Sequence, residues 1–67
     1  MYNAQQSPLI AADLALHMLM NDIDKLERNE AEDKIAADIL AGYLPPLTQY
    51  EVDLAYSVID DLKAQAA

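Results

Sequence analysis

The chain has 67 residues, 12 acids against 4 bases, a net charge of −8 and no cysteine. That length allows one domain with a thin core, burying only about 60% of the surface its unfolded chain exposes. Disulfides and thiolate metal sites are excluded, and the acidity argues against direct contact with nucleic acid or an anionic membrane, whose phosphates demand Lys and Arg.

Residues 1–7 read as a flexible N-terminal arm, polar and patternless up to Gln6. Ser7-Pro8 then marks a helix start, since a serine hydroxyl caps a free amide of the first turn and proline fits the first helical position. The first helix is expected over 8–28, where Leu9, Ala12, Leu16, Leu19, Ile23 and Leu26 alternate spacings of three and four. No base precedes its apolar run, and Asp13 and His17 interrupt it, so it resembles neither a signal peptide nor a membrane span. A cytoplasmic location is the natural expectation.

Asn29 followed by Glu32 offers a capping box for a second helix over 30–43, or the first helix simply continues. Ile35, Ile39, Leu40 and Tyr43 form its apolar side, Gly42 weakens its end and Pro45-Pro46 stops it. Thr48 and Glu51 make a second capping box, with Leu47 and Val52 placed as a hydrophobic staple. The last helix is expected over 48–65, with Val52, Ala55, Ile59 and Leu62 inward, Leu54 and Val58 widening that stripe, and Asp53, Asp60 and Asp61 outward. No strand pattern is visible. The expected fold is all-α: a short bundle of two to three helices, a helical hairpin with a Pro-Pro corner, completed by dimerisation.

The first helix has more apolar surface than one partner can cover. Opposite the stripe begun by Leu9 stands a second row, Ile10, Leu14 and Met18, spaced by four. Each such side chain gains roughly 1.5–3 kcal/mol on burial, so the row is expected either to meet another chain, as the interface of a symmetric homodimer or a partner, or to pack beneath the last helix.

Catalytic and cofactor chemistry is not recognisable. The single glycine rules out a glycine-rich phosphate loop. His17, the sole histidine, lies four residues from Asp13 and reads as an ordinary surface pair, with no second imidazole for a metal or a di-iron bundle. The dense carboxylates lack the central glycine of a calcium loop. Ser57 sits mid-helix, without the Asp-Ser-Leu context of a carrier protein. Residues 23–28 (Ile-Asp-Lys-Leu-Glu-Arg), with Leu47-Thr48, Glu51, Tyr56-Ser57 and Asp60, resemble two segments of the Hha-type modulators of nucleoid proteins. The spacing differs and those proteins are much less acidic, so no role is carried over.

The expectation is therefore a non-enzymatic, cofactor-free interaction protein that binds, modulates and by preference inhibits a larger protein bearing a basic patch, of the kind phage, plasmid and accessory genes encode. Asp22, Asp24, Glu27, Glu30, Glu32, Asp33, Asp53, Asp60 and Asp61 form the candidate acidic docking surface. The same acids could instead mimic a phosphate track and occupy a DNA-binding cleft, interrupted by Lys25, Arg28 and Lys34. A purely structural dimerisation or assembly subunit is the third possibility.

Overall fold

Asn21 and Asp22 decide where the first helix stops. In the computed structural model, which describes residues 7–66, helix α1 spans Ser7–Met20. The Asn21 amide and side chain both donate to the His17 carbonyl, at 3.1 and 2.8 Å, and Asp22 turns left-handed at φ 58°. Short polar side chains tolerate that conformation better than any residue except glycine. A 3-10 turn, Ile23–Lys25, follows, and α2 spans Arg28–Ala41. The uninterrupted helix expected over 8–28 is thus two elements joined by a turn. The Asn29–Glu32 box does not start α2 either: its cap is Glu27, with no side-chain capping bond. The N-terminal arm through Gln6, and the capping role expected of Ser7 with Pro8, lie outside the residues and side chains described.

Helix α2 ends on Gly42, at φ 87°, whose amide donates to Ile39 O at 3.1 Å while that of Tyr43 donates to Asp38 O at 2.9 Å. These two bonds satisfy carbonyls that a helix end would otherwise leave bare. A Cβ on Gly42 would meet nothing within 4 Å, so the cost of Gly42→Ala is purely conformational. It is expected at about 1–2 kcal/mol, read as a lower midpoint in thermal unfolding with the native circular dichroism spectrum retained.

Helix α3 spans Gln49–Ala66. Its start is the reciprocal box anticipated: the Thr48 amide donates to Glu51 Oε1 at 2.8 Å, and the Glu51 amide donates to Thr48 Oγ1 at 3.2 Å. Leu47 and Val52 line one cleft, as a staple would place them.

The three helices run up, down and up. Lys63 Nζ lies 3.2 Å from Asp24 Oδ2, bringing the end of α3 to the end of α1, while Leu47 shares a small cavity with Ile10 and Leu14 near the start of α1. Ile39, late in α2, lines a cleft with Leu47 and Thr48 at the opening of α3, and Arg28 at the start of α2 reaches Asp53 and Tyr56 further along, so α2 runs back along α3. The principal pairing is α1 on α3, with Ala11, Ala15 and Ala55 fully buried between Leu14, Met18 and Ile59. Ile23, Ala31 and Ile35 close the core from the turn and α2. Among the described residues there is no strand, and no helix is long and apolar enough to cross a membrane.

Candidate interaction surface

Helix α1 has two apolar faces, and of the two outcomes left open for the row Ile10, Leu14 and Met18 the structure shows packing within the single chain rather than a free face. Leu14 and Met18 are 1% and 0% exposed and Ile10 is half-buried, all within a single chain. Leu14 and Met18 belong to the core, so they do not form a surface for a second chain, and Ile10 lines the small cavity beside Leu14. Facing solvent instead are Leu9, Leu16 and Met20, at 69%, 56% and 75% exposure, with Ala12 beside them. The reason is steric. Ala11 and Ala15 flank Leu14 and Met18 on the inner face and let α3 approach through Ala55, whereas Asp13 borders the outer face.

Further apolar residues differ from expectation in the same sense. Leu40, assigned inward on α2, is exposed because α2 turns Ala31, Ile35 and Asp38 to the core instead, and Tyr43, expected within the same helix, lies beyond its end and is exposed. Leu62 is also substantially exposed, near the end of α3.

The acids divide into three groups. Asp24 is withdrawn: its side chain is 6% exposed and held by Lys63, so it is not part of a docking surface. Asp22, Glu32 and Asp53 reach the surface but are engaged. Lys25 Nζ lies 3.1 Å from Asp22 Oδ1. Arg28 Nε donates to Glu32 Oε2 at 3.3 Å, and its terminal nitrogen pairs with Asp53. Gln49 Nε2 donates to both acids, at 3.3 and 3.0 Å. Glu27, Glu30, Asp33, Asp60 and Asp61 are exposed, and among the described residues no base pairs with them.

Each Lys and Arg is tied to an acid of its own chain, since Lys34 Nζ also lies 3.2 Å from Asp38 Oδ1. Arg28 is the most elaborate case. Beyond its two carboxylates, its guanidinium stands 4.4 Å over the Tyr56 ring, joining the first turn of α2 to the middle of α3. Burial pushes the Tyr56 hydroxyl above its ordinary pKa, partly opposed by the Arg28 charge.

His17 is not Asp13's partner. Its Nε2 lies 2.9 Å from Asp38 Oδ2, across 21 residues, and links α1 to α2. A carboxylate only accepts, so Nε2 carries the proton in this bond. That hydrogen bond, followed by Lys34, holds the Asp38 carboxyl below the usual carboxylate range, against the opposing effect of burial. Lys34 and Asp38 stand four apart on one helix, but no local signal connects His17 with Asp38. The pair has no nucleophile bonded to it, and its geometry is that of a structural strut.

Between α2 and α3 lies a cleft of about 150 Å³ with a floor of Ile35, Ile39, Leu47 and Val52 and a polar rim of Glu32, Thr48 and Gln49. A second cavity, of about 70 Å³, sits between Ile10, Leu14, Leu44 and Leu47. Among the described residues no group of three or more His, Asp or Glu side chains could hold a metal ion.

No known protein family, curated protein or solved structure matches this chain.

Proposed function

We propose that this protein is a small acidic interaction module, acting as a homodimer, that docks on a basic patch of a larger protein and modulates it. The observation that supports this reading is the pairing of every Lys and Arg with an acid of the same chain. No base is left to offset the carboxylates, so Glu27, Glu30 and Asp33 at the start of α2, and Asp60 and Asp61 on α3, present uncompensated negative charge. Such a surface steers encounter with a cationic partner and selects against acidic ones. The consumed bases also support a second reading, occupation of a DNA-binding cleft, because they no longer break the acidic track.

Capture from a cell extract on the immobilised chain tests both. A specific partner is expected to release when salt rises from about 0.05 to 0.5 M, as the Debye length shrinks several-fold. It should be retained poorly by the charge reversals Glu30→Lys/Asp33→Lys and Asp60→Lys/Asp61→Lys. Binding indifferent to salt and to both reversals overturns the proposal. Displacement of the partner by duplex DNA selects the second reading.

A further inference from the structure

The geometry points to a second copy of this chain as the occupant of the outer face of α1, helix against helix, antiparallel, with Leu16 on the two-fold axis. The inference deepens the dimeric reading above and rests on it, adding the face, the sense and the register.

Charge selects the face. At a net −8, two copies that met through α2 or the outer side of α3 would oppose carboxylates. Helix α1 carries one acid, Asp13, and no Lys or Arg. It also presents the row Leu9, Leu16 and Met20, all more than half exposed. These residues with Ala12 and their flanks offer on the order of 400–500 Å² per chain, so a symmetric pair buries close to the ~1,000 Å² at which specific interfaces begin. An interface at that lower limit of area belongs to the weak, transient class.

Asp13 selects the sense. A parallel pair would set the two Asp13 side chains beside each other along the seam. In an antiparallel pair centred on Leu16 they lie six residues apart, about 9 Å along the axis at 1.5 Å per residue, comparable with the ~8 Å Debye length at physiological salt. The same register sets the long side chain of Met20 over the small Ala12 of the other copy. It opposes the two helix dipoles and leaves the acids of α2 and α3 outward on both chains.

The absence of native cysteine makes the register directly readable. Light scattering of the full chain from about 1 µM to 1 mM is expected to show mass rising from 7.4 kDa toward twice that value. Leu16→Asp should weaken association at least tenfold while the helical spectrum is kept. Under mild oxidation Leu16→Cys should cross-link into a dimer far faster than Leu9→Cys, because only the residue on the axis meets its own copy. A wild-type monomer throughout the range overturns the dimeric reading together with this inference, leaving the face to a different protein. A dimer unaffected by Leu16→Asp overturns the assigned face alone. Equal cross-linking at Leu9 and Leu16 overturns the antiparallel sense.

Discussion

Leu14→Asp is expected to unfold the single chain. Leu14 is 1% exposed and packs in the α1–α3 core. Truncating a buried leucine costs about 2–5 kcal/mol, and a carboxylate placed there adds several more or must take up a proton. A domain of this size has roughly 3–10 kcal/mol to lose. Far-UV circular dichroism should lose its helical signal and amide NMR dispersion should collapse. Leu16→Asp, two residues along but on the solvent side, should stay within about 1 kcal/mol of wild type in stability when both are compared as dilute monomers. The contrast between these neighbours tests which apolar face of α1 is the inner one. A cooperative melt of Leu14→Asp within a few degrees of wild type would contradict the packing described.

The second large effect is expected at Asp38. An acid in the last turn of α2 works against the helix dipole, yet Asp38 is 5% exposed and holds both His17 and Lys34. Asp38→Ala removes the acceptor and strands these donors, at about 1–3 kcal/mol, and loosens α2 from α1. Because the native carboxyl titrates below its ordinary value of 3.8, its contribution is present above that pH and is lost as pH falls through the lower native value. The stability difference between wild type and Asp38→Asn should therefore shrink progressively below about pH 4. Chemical denaturation at a series of pH values reads this directly. A difference that stayed constant throughout the acid range would show that ionised Asp38 does not secure the strut.

These contacts also mark the limit of local reading. The Thr48–Glu51 box and the outward Asp53, Asp60 and Asp61 were legible because each depends on residues within one or two turns of one helix, whereas the stop assigned to Pro45-Pro46 falls earlier, with α2 ending at Ala41 on Gly42. Asn21-Asp22 was a legible stop as well, overlooked because the apolar period carries on through Ile23 and Leu26 across the turn. The pairs His17–Asp38, Arg28–Asp53 and Lys63–Asp24 join residues 21, 25 and 39 positions apart, and nothing in the neighbourhood of either partner announces them.

Composition and periodicity by themselves determined that this chain is helical, that its surface is anionic and that cysteine- and glycine-dependent chemistry is absent. Those properties are sums over residues or local patterns, insensitive to how helices meet. They also revealed that α1 has two apolar faces. They could not say which one the protein keeps, because Leu9, Leu16 and Met20 are as apolar as Ile10, Leu14 and Met18. The tertiary structure decided it through shape: the alanines beside Leu14 and Met18 admit α3 at close range, and the face left over is the one that remains exposed.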